Sequence, residues 1–321
     1  MKIHQVVTTY GRNCGIALFA GNLHVQLEKS GIDIKTTSHM NDKMPTTDIL
    51  LLHYHSELLD HESTKTICER SQCPVILFAH STGIDAFVDI VDGFVAMCSG
   101  IIPETDRPVH IFPHPAWIPE CLQERTVLRK RLGLPINSMI IGTHGFLKFE
   151  RQFVEILDVL LPHAKENNWF VDLMASPWYI DSPGLIPQLE KFGSTCSTCF
   201  RFEYAFWNKE ILNQKLQACD ILWCWTRTTS SPYASGVISD QYASGTRIFA
   251  ADKLQHEHVL KLPNVIRGPD RLEPFIERFI KEIKCGKHDR HDPSPISWDR
   301  CSDELVCFLT RIYSESKKSI N

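Results

Sequence analysis

The chain has 321 residues, of which 43% are hydrophobic and 22% are charged, and its formal net charge is −4. This composition is typical of globular proteins and excludes the disordered, collagenous and coiled-coil classes, while the length favours two domains. The slightly acidic balance argues against a protein that binds nucleic acid mainly through its overall charge.

Strands and helices alternate through the first part of the chain. A strand in MKIHQVVTT leads into a glycine-bearing loop and a helix that ends at Gly31, and a second helix is predicted near His61–Ser71. The other predicted strands are IDIKTTSH, TDILLLHYH, PVILFAHS, DGFVAMCSG and HIFPHPAW. This alternation predicts a parallel sheet with helices on both faces.

The α/β pattern starts again after the segment CLQERTVLRKRLGLPIN, which contains a short basic helix ended by Gly133 and Pro135. The predicted strands of the second half are SMIIGTHGF, WFVDLMAS, CFRFEYAF, DILWCWTR and TRIFAAD. A boundary there predicts two Rossmann-like domains, at 1–130 and 136–297. Because ligands of open parallel sheets bind beyond the carboxyl ends of the strands, we expect the function in loops that face a cleft between the domains.

No apolar run approaches the roughly 20 residues needed to span a bilayer. The N-terminus also lacks the apolar core and cleavage site of a signal peptide, so we expect a cytoplasmic protein. The 12 cysteines are scattered, and only Cys196 and Cys199 form a CxxC motif. A single CxxC provides half of a zinc site, and we therefore expect free thiols and no metal.

The segment TRTTSSPYASGVISDQYASG predicts an anion site. A strand ends near Arg227, and a helix follows it. The free amides at the start of this helix, at Ser235, Gly236 and Val237, can bind phosphate. Asp240, one turn into the helix, can accept hydrogen bonds from a ribose diol. The alternative is an ordinary helix with a serine N-cap and an exposed aspartate.

Two further glycine loops follow predicted strands. In GTHGFLKFERQF, Gly145 is followed by Lys148 and Arg151, either of which can neutralise a diphosphate, with arginine the better bidentate donor. In YGRNCG, Gly15 opens a helix, but the segment matches neither GxGxxG nor GxxxxGK[ST], so a standard dinucleotide site or P-loop is poorly supported.

His80 stands at the carboxyl end of a buried-type strand, where a neutral imidazole can donate to a sugar hydroxyl or a departing phosphate; a structural histidine bonded to a loop carbonyl is the alternative. Histidines also stand at other strand ends, at His53, His55, His114 and His144. No HExxH pattern makes them a metal site, and GxSxG and kinase signatures do not occur.

The order of these segments resembles the GT-B glycosyltransferases, in particular the family-four retaining group, over nearly the whole chain. The matching segments are CGIALFAGNLHVQLEKSG, LFAHST, IFPHPAW, LRKRLGLPINSMIIGTHGFLKFERQF, LQACDILWCWTR, ASGVISDQYASGTRIFAAD and SWDRCSDELVCFLTRIYSES. In that fold the last of these segments is a helix that crosses back to the first domain, so the resemblance adds 298–321 to domain 1–130.

The sequence departs from the family pattern at three places. Where the family has two glutamates separated by seven residues, this chain has Pro232 and Asp240. Phe146 replaces the usual arginine after the glycine of the second loop, and Glu150-Arg151-Gln152 replaces Glu-Lys-Gly. The diphosphate site would then depend on Arg151, Lys148 and the helix amides.

The resemblance implies a metal-independent, retaining transfer of sugar from a nucleotide-diphosphate sugar to a hydroxyl acceptor, without a further cofactor. It implies that the nucleotide binds in the second domain and that His80 and Gly15 face the reacting centre. Trp178, Trp223 and Trp225 can stack on a base or sugar, although core packing is expected for at least two of them.

Three alternatives stay open at this point. Pro232 and Phe146 favour a nucleotide-sugar-binding protein without transferase activity. A sugar-nucleotide epimerase shares the fold but would need acid/base carboxylates, for which Asp240 and Glu57 are the candidates. A nucleic acid as the sugar acceptor is disfavoured by the net charge. The one feature in its favour is a cluster of basic residues, which a solvent-exposed helix explains equally well. These residues are Arg125, Arg129, Lys130 and Arg131.

Overall fold

The computed structural model of the chain describes residues 1–8, 15–38, 46–56, 60–177, 184–227, 234–286 and 288–318. These residues form two compact units. Unit 1 is drawn from Met1–Pro115, Ser230–Ala234 and Trp298–Asn321, and unit 2 from Ala116–Thr229 and Ser235–Ser297.

Unit 1 is built on a six-stranded parallel sheet. Its strands are β1 (Lys2–Val6), β2 (Asp33–Thr37), β3 (Ile49–Tyr54), β4 (Val75–Ala79), β5 (Gly93–Ala96) and β6 (Val109–Ile111), in the spatial order β2-β1-β3-β4-β5-β6. Its helices are α1 (Gly15–Lys29), α2 (His61–Arg70) and α10 (Trp298–Lys318). Strands β3 and β4 are buried along their whole length, as their nearly continuous apolar sequences predict.

The terminal helix α10 belongs to unit 1. Its apolar face enters the same core as the first strand and helix, through Leu305, Leu309 and Ile312. The Tyr313 hydroxyl donates a hydrogen bond of 2.7 Å to Asp48 Oδ1. Because α10 fills a stripe of the core beside α1, unit 1 is assembled from the two ends of the chain.

Unit 2 repeats the architecture. Its strands are β7 (Met139–Phe146), β8 (Trp169–Ser176), β9 (Phe200–Tyr204), β10 (Ile221–Cys224), β11 (Arg247–Ala251) and β12 (Val265–Gly268), in the parallel order β12-β11-β10-β7-β8-β9. Its helices are α3 (Arg125–Leu132), α4 (Phe153–Asn167), α5 (Leu185–Thr195), α6 (Lys209–Gln217), α7 (Gly236–Ala243), α8 (Glu257–Leu260) and α9 (Leu272–Lys284).

The basic helix α3 lies in unit 2, whereas the sequence analysis placed its residues up to 130 in the first domain. Leu128 is fully buried in a unit 2 core cluster. Arg129 is also buried, and its Nη2 donates to Asp220 Oδ2 at 2.6 Å, while Arg125 lies 3.7 Å from Asp220 Oδ1. This face is therefore neither a free basic surface nor a fully solvated one, because only Lys130 and Arg131 remain exposed.

Candidate functional site

The strand order of unit 2 locates its ligand-binding edge. Strand β7 comes first in the chain, β8 and β9 follow on one side, and β10 to β12 follow on the other. The connections therefore reverse direction between β7 and β10, and ligands of open α/β sheets bind beyond the carboxyl ends of the strands at such a switch point. The loops after these two strands carry Arg151 and the start of α7.

Arg151 is a buried cation at this edge, with 8% of its surface exposed. It is the last residue of a single 3-10 turn, Phe149–Arg151, and its Nη1 donates to the Trp225 carbonyl oxygen at 3.1 Å. Trp225 comes directly after β10, so this bond ties the loop after β7 to the end of the neighbouring strand. The guanidinium is thus held in one place by the main chain.

Among the described residues of unit 2, Arg151 differs from Arg129 and Arg201 in having no acidic partner. Arg129 pairs with Asp220 at 2.6 Å and Arg201 pairs with Asp172 at 2.8 Å. In the part of the chain that the structure describes, Arg151 makes no ion pair. A buried charge without a counter-ion is costly, and it is compensated when an anionic ligand binds.

The groups beside the guanidinium do not supply a negative charge. Burial raises the pKa of the Cys224 thiol to about 11. His256 Nε2 lies 3.5 Å from Cys224 Sγ, and burial lowers the pKa of His256 to about 4. Both groups are therefore neutral at pH 7, and neither offsets the charge of Arg151.

Gly145 brings the arginine and helix α7 to one point. Its φ of 146° lies in a region that favours glycine, and a Cβ there would lie 3.4 Å from Val237 Cγ2 and 3.5 Å from Arg151 Nε. Lys148 adds a second cation, with its Nζ 5.9 Å from the centre of the Phe146 ring. Burial lowers the pKa of Lys148, and the neighbouring charge of Arg151 lowers it further.

Helix α7 begins at the predicted residue and presents its N-terminus at the same edge. Ser235 adopts an extended conformation, and its N–H donates to the Gln255 carbonyl at 2.9 Å, while its side chain makes no capping bond. The first amides of a helix have no partner within it, so the N–H groups at Gly236 and Val237 are available by helix geometry. Gln241 fixes the helix by donating to the Trp223 carbonyl at 3.0 Å.

Asp240 is held by two basic side chains on the adjoining elements. Lys209 Nζ lies 2.7 Å from both carboxylate oxygens, and His144 Nε2 lies 3.6 Å from Oδ2. Burial by itself would raise the pKa of Asp240, but His144 and Lys209 outweigh it and lower the pKa to about 2. Asp240 is therefore ionised and fixed, rather than the exposed aspartate of the alternative interpretation.

Three residues of this edge were not among the predicted site residues. Lys209 is the first residue of α6, and nothing in its sequence context points toward Asp240. Gln152 has a φ of 48°, and its Oε1 accepts the Trp225 indole N–H at 3.1 Å. His144 was named only as one of several strand-end histidines, although its position next to Gly145 was a usable signal.

Of the three tryptophans considered for stacking on a ligand, the structure describes two, and both pack in the core. Trp223 is fully buried and Trp225 is 4% exposed within the same apolar cluster. Trp178 lies outside the described residues, as do Pro232 and Glu57. Core packing is thereby confirmed for two of the three tryptophans.

In unit 1, His80 follows β4 and is half-buried. Its Nε2 lies 2.9 Å from Nδ1 of His53, at the end of β3. Gly15 begins α1, and residues 9–14 before it lie outside the described residues. Phe19 of that helix packs edge-on against the His80 ring, with 5.7 Å between centroids, so the first part of α1 and His80 adjoin.

Within the described ranges, no group of three or more His, Cys, Asp or Glu residues is arranged to hold a metal ion. Cys196 and Cys199 are both free thiols. Among the helices that the structure describes, none combines the length and apolar character of a membrane span.

No family model and no curated protein sequence matches the chain. Solved structures do match over the full length. HepE of Anabaena in complex with UDP has a TM-score of 0.64 at 11% identity, covering 100% of this chain and 99% of that one. A glycosyltransferase from Rickettsia africae has a TM-score of 0.60 at 11% identity, with 99% and 97% coverage.

A UDP-forming α,α-trehalose-phosphate synthase from Burkholderia xenovorans is similar at a TM-score of 0.53 and 10% identity, covering 98% of this chain and 81% of that one. At such identities the likeness shows the fold and not the activity. The resemblance seen in the sequence is confirmed at this level, and the chain has the two-domain α/β architecture of the GT-B glycosyltransferases.

Proposed function

We propose that this protein is a glycosyltransferase that takes its sugar from a nucleotide-diphosphate sugar. One observation carries the proposal: Arg151 is buried with no acidic partner among the residues that the structure describes, beside the N-terminus of α7 and at the switch point of the unit 2 sheet. A diphosphate would supply the missing counter-charge. The Anabaena HepE structures are complexes with UDP and with UDP-glucose, which makes uridine donors the first to test.

The same groups suit the chemistry of sugar transfer. When the glycosidic bond of the donor breaks, negative charge develops on the departing diphosphate. Arg151, Lys148 and the amides of Gly236 and Val237 would stabilise that charge, and preorganised donors of this kind contribute roughly 10²–10³ each in rate. We propose that Asp240 binds the ribose and that His80 donates a hydrogen bond to the reacting sugar or its phosphate.

Retention of configuration and independence of metal belong to the proposal because the family that the sequence resembles has them. The arginine and the helix amides perform the charge neutralisation for which other enzymes use a divalent ion. Transfer that continues in excess EDTA supports this part of the proposal, and NMR of the product anomer tests retention. The acceptor is proposed only as a hydroxyl group.

A nucleotide-sugar-binding protein without transferase activity is the second candidate, because Pro232 stands where the family has its first glutamate. An epimerase is less favoured, because a carboxyl group with a pKa of about 2, such as Asp240, is a weak base. Incubation with UDP-, GDP-, ADP-, CMP- and dTDP-sugars and a pool of acceptors separates these functions. Release of nucleoside diphosphate with a new glycoside supports the transferase, whereas binding without turnover supports the second candidate.

A further inference from the structure

Two histidines of unit 1 form a direct hydrogen bond at the carboxyl ends of neighbouring strands. His53 Nδ1 and His80 Nε2 are 2.9 Å apart. The His53 ring stacks on Phe78 with 4.8 Å between centroids and 8° between planes, and Phe19 packs against both histidines. The apolar rings leave neither imidazole free to turn, so the contact between the two nitrogens is built into the core.

In a pair of neutral imidazoles one nitrogen must donate and the other must accept. His53 is 2% exposed, and its Nε2 has no hydrogen-bond partner within the described part of the chain. If His53 accepted at Nδ1, its only proton would be an orphaned N–H buried against phenylalanine. If it donates from Nδ1, the buried atom is a lone pair, and orphaned acceptors are tolerated more often than orphaned donors.

We infer that His53 is a positioning residue, which donates from Nδ1 to His80 Nε2 and thereby fixes His80 as the neutral tautomer with its proton on Nδ1. His80 then offers an N–H donor from Nδ1, a nitrogen that no described residue occupies. The identity of the ligand that would receive this hydrogen bond rests on the proposed function. In that function His80 acts as a fixed hydrogen-bond donor and not as a proton-transfer group.

The surroundings of His80 favour the neutral form as well. Burial lowers the pKa of His80 well below its usual value, and the neighbouring imidazoles of His53, His55 and His114 lower it further. Burial also lowers the pKa of His53 to about 3. A second proton on His80 would have to displace the hydrogen bond from His53, which is the same conclusion that the geometry gives.

Nitrogen NMR of the full-length, ¹⁵N-histidine-labelled protein without ligand tests the inference directly. Between pH 6 and 8 we expect His80 to show a protonated Nδ1 and an unprotonated Nε2. A proton on Nε2, or an imidazolium in this range, would overturn it. Because this measurement requires no turnover, it remains decisive even if the transferase proposal fails.

Substitutions separate positioning from packing. His53→Leu removes the donor and should give His80 mixed tautomers and lower kcat by about tenfold, the value of one hydrogen bond, with the Kd for UDP unchanged. His53→Asn keeps an N–H near the position of Nδ1 and should restore both the tautomer and kcat. The matched control is His110→Leu, because His110 stacks on Phe308 in the same unit. An unaltered His80 tautomer in His53→Leu contradicts the inference.

Discussion

Arg151 donates to the main-chain carbonyl of Trp225 at 3.1 Å, and this bond joins the loops on either side of the unit 2 switch point. The next residue reinforces it, because Gln152 Oε1 accepts the Trp225 indole N–H. Residues 151 and 152 thus hold both the backbone and the side chain of one tryptophan.

The hydrogen bond between Gln152 and the Trp225 indole leads us to expect an unusual order of stability among variants at position 152. Gln152 has a left-handed φ of 48°, which costs a non-glycine residue about 1 kcal/mol. Gln152→Gly loses the bond to Trp225 but relieves this strain, so we expect nearly wild-type stability. Gln152→Ala keeps the strain and loses the bond, and should be about 1 kcal/mol less stable than Gln152→Gly in urea unfolding. Equal or greater stability of the alanine variant would contradict this account.

Gly145 should be essential for nucleotide binding and not only for folding. Gly145→Ala puts an L side chain at a φ of 146°, a conformation that such residues rarely adopt, and relief of this backbone strain should displace the loop that leads to Arg151. We expect the affinity for UDP to fall about tenfold or more, as for the loss of one charge-assisted hydrogen bond. Gly193→Ala is the control, because its Cβ would meet nothing within 4 Å; equal UDP affinity in the two variants would refute the prediction.

If Asp240 binds the ribose, the protein should prefer ribonucleotides to 2′-deoxyribonucleotides. If the carboxylate accepts hydrogen bonds from the ribose diol, wild-type protein should bind UDP about tenfold more tightly than 2′-deoxy-UDP. Asp240→Asn should lose most of this preference while still binding both. Calorimetry with the two ligands measures the difference, and an unchanged preference in Asp240→Asn would remove the residue from the ribose site.

Buried neutral histidines predict that the protein loses stability in mild acid. Burial lowers the pKa of His53 to about 3 and the pKa values of His256 and His291 to about 4. Below pH 6.5 the unfolded chain binds protons at these sites that the folded chain does not. Stability is therefore fully present above about pH 6.5 and falls as the pH drops toward these lowered values, by up to about 1.4 kcal/mol per pH unit for each histidine.

His291→Gln isolates one member of this group. The His291 Nε2 lies 3.1 Å from the Tyr242 carbonyl, and a glutamine amide can keep that hydrogen bond without titrating. Urea unfolding between pH 5 and 6.5 should show a shallower pH dependence in this variant, by about one proton. The same slope as in the wild type would show that His291 does not contribute.

Much of the fold follows from the sequence because its signals are local. The apolar runs of β3 and β4 and the glycine after α3 predict their elements directly, and α7 begins at the predicted Gly236. The boundary between the units is harder to predict from the sequence, because α3 has the pattern of a solvated basic helix and its pairing of Arg129 with Asp220 is not evident. That contact joins positions far apart in the chain and leaves no local pattern.

Some residues of the candidate site can be predicted from the sequence and others cannot. Arg151 and Gly236 could be predicted because a strand, a glycine and a helix start follow one another in the sequence. The bond of Lys209 to Asp240 and the bond of Gln152 to Trp225 depend on which loops lie side by side at the switch point. The order of the strands decides this, and the order is set by packing of the whole sheet.

Calorimetric titration of UDP into wild-type protein, Arg151→Ala and Arg278→Ala tests the central claim most directly. Arg278 is an exposed arginine on α9 and controls for the loss of one positive charge. We predict that Arg151→Ala weakens UDP binding by about tenfold to a hundredfold, and that Arg278→Ala leaves it unchanged. The same UDP affinity in all three proteins would contradict the assignment of Arg151 to a diphosphate site.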